Sequence, residues 1–127
     1  MDDGLFETGL QQRKATLGGD YVDKVLEGAD DFSRPFQEAM TAWCWGFGWG
    51  DDSLPAKTRS MVNLPMLAAL NRMEEFELHF RGAIRNGVTR DELRALLHVI
   101  AIYCGVPAAV SSFRIARKVL AETDRAS

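Results

Sequence analysis

Residues 73–107 read MEEFELHFRGAIRNGVTRDELRALLHVIAIYCGVP, and the punctuation inside this stretch decides the fold. Its first half predicts a helix from about Glu74 to Asn86, stopped at Gly87, where a left-handed backbone costs little. Thr89 then opens a second helix as N-cap. Glu92, three residues on, completes a Thr-x-x-Glu capping box by reaching back to the cap's own N–H. Two helices therefore meet at a tight corner. Each carries one imidazole, His79 and His98, and the chain has no other histidine.

The second helix is apolar nearly all round. In the run LRALLHVIAIYC, only His98 and the Tyr103 hydroxyl are polar after Arg94. Such a helix is predicted to be buried on nearly all sides, which puts His98 in low dielectric and in need of a hydrogen-bond partner. A single histidine on an apolar face reads first as a satisfied structural residue. His79 on the adjoining helix, with Arg81 two residues further on, keeps a functional reading open. Glu75 lies four residues before His79 and shares its face, so its carboxylate is expected to orient the imidazole and raise its pKa. Arg81 falls about 200° round the helical wheel from His79. It serves a neighbouring subunit or a pocket edge, or it is structural.

Upstream, Ser53 is expected to cap a helix with Pro55 in its first turn, running through AKTRSMVNLPMLAALNR and bent at Pro65. Arg59 just precedes its apolar stretch, as a surface charge or a buried anion contact. Before it, Asp31 to Phe47 reads as a helix with Pro35 in its first turn. Its stripe of Phe32, Phe36, Met40 and Trp43 is expected to be core. The segment WCWGFGWGDDSLP places Trp43, Trp45 and Trp49 among Gly46, Gly48 and Gly50. Indoles on such a loop wall a pocket or pack across a subunit interface. The glycines are no phosphate cradle, because the strand and the GK[ST] element are missing.

At the N-terminal end, Leu5 to Leu17 predicts a first helix with Asp2 and Asp3 near its positive end. DYVDKVL (20–26) predicts a short second one closed by Gly28. Arg13, Lys14 and Asp20 read as surface charges. Downstream of Gly105-Val106-Pro107, AAVSSFRIARKVLAETD forms a last helix, and the tail ETDRAS is expected to fray.

The whole reads as an all-α, single-domain bundle of about six to seven helices over residues 1–127. Its apolar helix surface exceeds what one small bundle hides, which favours an oligomer. The chain is 127 residues long, 46% hydrophobic, with net charge -3. With no basic excess, nucleic acid is not an expected partner. The N-terminus lacks the apolar region of a signal peptide, and no apolar run reaches the roughly 18 residues of a membrane span. Cys44 and Cys104 form neither a CxxC nor a zinc spacing, and they read as free thiols of a cytoplasmic protein. Two histidines without a clustered carboxylate pair make a poor metal site, and no serine sits in a nucleophile elbow.

ELHFRGAIRNGVTRDELRALLHVIAIYCGVPAA resembles the signature region of the carboxymuconolactone decarboxylase family. WGFGWGDDSLPAKTRSMV resembles that family's Trp-Gly loop and Thr-Arg-Ser helix start. GLQQRKATLGGDYV and DFSRPFQEAM fit it as well, so the likeness covers almost the whole chain. The resemblance implies an alkylhydroperoxidase D-like helical subunit, assembled as a hexamer that is a trimer of dimers. It implies cofactor-free decarboxylation of gamma-carboxymuconolactone to beta-ketoadipate enol-lactone, in protocatechuate breakdown. Carried over residue by residue, it makes His79 the proton-transfer residue and Arg59 the carboxylate or oxyanion partner. His98 orients the site or shares proton transfer. Arg81, Trp45, Trp49 and Tyr103 are the candidates for substrate contact, and no metal or cofactor is implied.

Two departures stand out. Phe47 occupies the position where close relatives of the decarboxylase carry glutamate in Trp-Gly-Glu, and Pro65 falls in a helix that normally lacks proline. The first leaves a second reading, a divergent or non-catalytic member that binds a small acidic metabolite. The superfamily's redox branch, by contrast, requires a CxxC where this chain has Arg72 and Glu75. Disulfide exchange needs a thiolate there, so peroxidase activity is rejected.

Overall fold

A computed structural model describes residues 3–126. These are almost entirely helical, with no strand among them, and they form two compact units, Met1–Ala56 and Lys57–Ser127.

In the first unit, α1 (Asp3–Leu17) is followed by α2 (Gly19–Glu27) and α3 (Arg34–Met40). Gly18, at φ 96°, separates the first two. Asp2 and the side chain of Asp3 lie outside the described residues. Pro35 stands in the first turn of α3, as expected, where its missing N–H leaves no bond unmade. The chain then differs from expectation. The segment read as a glycine-rich loop is a π-helix, Thr41–Gly48, continuous with α3. Its wider turns accommodate the alternation of indole and glycine. One glycine face lies directly on α1. A Cβ at Gly46 would overlap the Leu5 carbonyl, and one at Gly9 would overlap the Thr41 carbonyl and stand 2.7 Å from the Gly46 nitrogen. The freedom used at Gly46 is close approach of two backbones.

Two further expectations are corrected here. Arg13 is no surface charge: it is 4% exposed, and its Nη1 donates to the Thr41 hydroxyl at 3.0 Å. That hydroxyl in turn donates to the Gln37 carbonyl at 2.7 Å. The stripe Phe32, Phe36 and Trp43 is not core. All three are exposed, Phe32 at 95%. The π-helix instead buries Thr41, Ala42, Trp45 and Gly46, because its geometry rotates the following side chains away from the register of an α-helix.

The second unit contains α4 (Ala56–Ala69), α5 (Met73–Arg85), α6 (Arg90–Cys104) and α7 (Val106–Ala126). Leu64 and Ala68 of α4, Phe76, Phe80 and Ala83 of α5, Leu93, Leu97 and Ile100 of α6, and Ala116 and Val119 of α7 share one core. Their spacing of three and four residues puts them on one face of each helix. Full burial of Phe76 and Phe80 stabilises the unit by about 1.5–3 kcal/mol each.

The corner between α5 and α6 forms as read from the sequence. Gly87 has φ 93°. The Gly87 N–H donates to Ile84 O at 3.1 Å and the Val88 N–H to Ala83 O at 3.0 Å, a Schellman closure with Val88 tucked beneath it. The Thr89 side chain accepts from Glu92 N at 3.1 Å, and Glu92 accepts from Thr89 N at 2.9 Å, completing the capping box.

The start of α4 differs. It begins at Ala56, after Pro55, and Ser53 donates its N–H to Asp51 at 2.9 Å instead of capping the helix. The final segment, expected to fray, is helical through Ala126.

Candidate active site

The family-derived candidates Arg59, His79, Arg81, His98 and Tyr103 all fall in the second unit, and Trp45 and Trp49 in the first.

His79 stands on α5 between Phe76 and Phe80, both fully buried. Its ring is largely enclosed and its Nδ1 is shut off from solvent. Burial alone pushes its pKa from 6.5 down to about 4. This reverses the expected rise. Glu75 is exposed and exerts no dominant pull, so the cost of burying an imidazolium decides the outcome. His79 is thus a neutral imidazole near pH 7.

His98 is placed differently. It is exposed, with its ring tilted 40° to that of Phe113 at 6.1 Å. The expected burial of α6 on nearly all sides is not found in the single chain. Leu93, Leu96, Leu97 and Ile100 turn inward, while Val99, Ile102 and Tyr103 are exposed, Tyr103 at 84%.

Arg59 sits half-buried near the start of α4. Its neighbour Ser60 is buried and accepts from Asn86 Nδ2 at 3.0 Å, pinning the first part of α4 to the end of α5. Seven residues, about two helical turns, separate Asn86 from His79.

Arg81 is held by two carboxylates. Nη2 donates to Glu77 at 3.0 Å and Nη1 donates to Glu122 on α7, while Lys118 reaches Glu77 at 3.2 Å. Hydrogen bonding from Arg81 holds both carboxyls below their usual range. Of the open readings for Arg81, this network is a structural clasp between α5 and α7. The Glu77–Arg81 pair was legible as an i,i+4 spacing. Glu122, 41 residues further on, was not.

In the first unit, Trp45 is 3% exposed and stacks on Trp49 at 4.8 Å. Trp43 and Phe47 stack at 4.7 Å and 3°, both exposed. Phe47, at the position where the resemblance implies a glutamate, is one leaf of an aromatic pair. Among the described residues no group of three or more His, Cys, Asp or Glu side chains is placed to hold a metal. None of the described helices is long and apolar enough to cross a membrane.

The model of the carboxymuconolactone decarboxylase family matches residues 34–118, two-thirds of the chain, including α3 to α6 and most of α7. The chain belongs to the carboxymuconolactone decarboxylase family. It is 41% identical over 117 residues to nitrosuccinic acid decarboxylase of Metarhizium robertsii, covering 91% of this chain and 81% of that protein. It is 36% identical over 118 residues to 4-carboxymuconolactone decarboxylase of Acinetobacter baylyi, covering 93% and 88%. A 4-carboxymuconolactone decarboxylase of Pseudomonas putida matches at 42% over 41 residues, 32% of this chain and 85% of that sequence. This family member is a decarboxylase, a carbon–carbon lyase that releases CO₂.

Proposed function

We propose that the protein decarboxylates a small dicarboxylic acid whose departing carboxylate sits on a carbon conjugated to an electron sink. The reading derived from the family signature is gamma-carboxymuconolactone, or a related carboxylated lactone, giving beta-ketoadipate enol-lactone in protocatechuate breakdown. The 41% identity to a nitrosuccinic acid decarboxylase supports a second substrate, nitrosuccinic acid. The loss of the glutamate at Phe47 fits either a different substrate or a divergent member that binds an acidic metabolite.

The chemistry is common to both substrates. The bond to the carboxylate carbon breaks and CO₂ leaves. The electron pair left behind flows into the lactone carbonyl through the alkene, or into the nitro group, and a proton must then reach carbon or oxygen. The observation that carries the proposal is the largely buried, neutral His79. A dianion arriving beside it favours the imidazolium and offsets the cost of burial, so substrate entry brings a proton onto His79. That proton is then delivered to the carbanionic product. Arg59 supplies the cation for a carboxylate or for the developing oxyanion. His98 would orient the site or share the transfer, with Tyr103 in substrate contact.

His79→Gln removes the titrating group while keeping a polar side chain of similar reach. Its kcat is expected to fall about 10²–10⁴-fold on the lactone or on nitrosuccinate, followed by loss of substrate ultraviolet absorbance and by CO₂ release. A folded variant with wild-type turnover would overturn the role of His79. Saturable binding without turnover by the wild type would favour the non-catalytic reading.

The same proposal includes self-assembly. The face of α6 and early α7 that exposes Val99, Ile102, Tyr103, Val106 and Val110 suits a second copy of the chain in a homo-oligomer, a hexamer on the family pattern. Ile102→Asp should lower the mass seen by light scattering, and an unchanged mass would remove this face from the interface. Both cysteines are free thiols, which fits action in the cytoplasm.

A further inference from the structure

The chain is acidic overall, at net charge -3. One groove in the second unit reverses that sign. It is lined by Arg90 at the start of α6 and by Arg114, Arg117, Lys118, Leu120, Ala121 and Asp124 along α7, and offers about 510 Å³ open to solvent. Four cationic side chains there face one carboxylate. None of the candidate active-site residues lines it.

The pairing within this groove is uneven. Arg90 reaches Asp124 at 3.4 Å, and Lys118 is drawn to both oxygens of Glu77 at 3.2 Å. Among the described residues, Arg114 and Arg117 have no carboxylate partner. They are three residues apart, with Lys118 four from Arg114, so all three project from one side of α7 with Cβ atoms about 5–6 Å apart. Two adjacent guanidinium forks match the oxygens of a phosphate or a pair of carboxylates. The volume of this open groove lies in the range of roughly 300–1,000 Å³ that takes an organic ligand, well beyond a bare inorganic ion. Leu120 and Ala121 add a short apolar wall.

We propose that this groove binds small organic anions bearing a doubly charged head on a short apolar body. The head engages Arg114 and Arg117, and the body lies along Leu120 and Ala121. Asp124 is paired with Arg90 at 3.4 Å, which turns one of its oxygens toward a cation rather than the ligand. The attraction is electrostatic at an exposed site, so it weakens as salt rises.

Calorimetric titration of the full chain with phenyl phosphate tests the assignment, with inorganic phosphate and phenol as separate probes. Saturable binding of one phenyl phosphate per chain is expected, several-fold tighter than inorganic phosphate, with phenol not binding. Arg114→Gln/Arg117→Gln should weaken it at least about 10-fold, close to what one lost charge-assisted contact of about 1.4 kcal/mol produces. Leu120→Asn should reduce the preference for phenyl phosphate over phosphate. Arg72→Gln, an exposed cation outside the groove, should bind as wild type. Circular dichroism checks folding, and the single Arg114→Glu replaces the double variant if that fails to fold. Absence of saturable binding, equal affinity in the double variant, or an equal loss in Arg72→Gln would overturn the site. Equal affinity for the two phosphates would overturn the apolar half of it.

Discussion

Each unit has its own kind of internal packing. In the first, α1 meets the π-helix backbone to backbone, Gly9 against Thr41 and Gly46 against Leu5, and a buried arginine stands at the joint. In the second, phenylalanine and leucine side chains interdigitate between α4, α5, α6 and α7. Their charges differ in the same sense. Arg13 is enclosed without a carboxylate; its Nε finds no hydrogen-bond partner among the described residues, and burial pulls its pKa down. Arg81 is partly exposed and grips two carboxylates. A backbone joint tolerates no added atom, whereas a side-chain core tolerates substitutions of similar volume. The first unit is the more exacting of the two, although it contains most of the exposed aromatic surface.

The largest expected effect breaks the backbone joint. Gly46→Ala places a methyl group where the Leu5 carbonyl stands, and neither main chain can withdraw without moving its helix. A loss on the order of 4 kcal/mol is expected, at the severe end for a single substitution, read as a drop in denaturation midpoint together with loss of the near-ultraviolet signal of the stacked Trp45 and Trp49. A variant of wild-type stability would show that α1 does not press on the π-helix.

Acid should expose the second unit next. His79 is neutral when folded, with a pKa of about 4, and titrates near 6.5 when unfolded. Between those values the unfolded chain binds more protons. Stability is therefore complete above about pH 6.5, falls as pH drops through this window, and has lost about 3 kcal/mol of His79's contribution below pH 4. Glu77 and Glu122, held below their usual range by Arg81, add loss in the same direction as acid protonates them. Denaturant midpoints of wild type and His79→Gln at pH 7.5 and 4.5 should diverge, the variant losing less. Parallel losses would place the acid sensitivity elsewhere.

The smallest effect sharpens the contrast between glycines. A Cβ at Gly19 would meet nothing within 4 Å, and its φ is not positive. Gly19→Ala should leave the fold intact and stabilise it by about 0.5–1 kcal/mol through reduced freedom of the unfolded chain, measured as a raised denaturation midpoint. Destabilisation would mean that close packing extends to α2.

The sequence alone determined the helical class and the α5–α6 corner. It also located the family signature that carries Arg59, His79 and His98. These rest on local rules: apolar spacing, the Thr89–Glu92 box and the left-handed Gly87 act within a few residues. Tertiary structure alone decided which helix faces are covered. Phe32, Phe36 and Trp43 have the spacing of a core stripe, yet all three are exposed: α3 buries no residue, and the π-helix that follows buries Trp45 in place of Trp43. Arg13 looked like a surface charge until α1 laid it beside Thr41, 28 residues away. His79 and His98 were alike in sequence. They differ in surroundings that only the packed chain sets: the His79 ring is largely enclosed, which lowers its pKa, and the His98 ring is exposed.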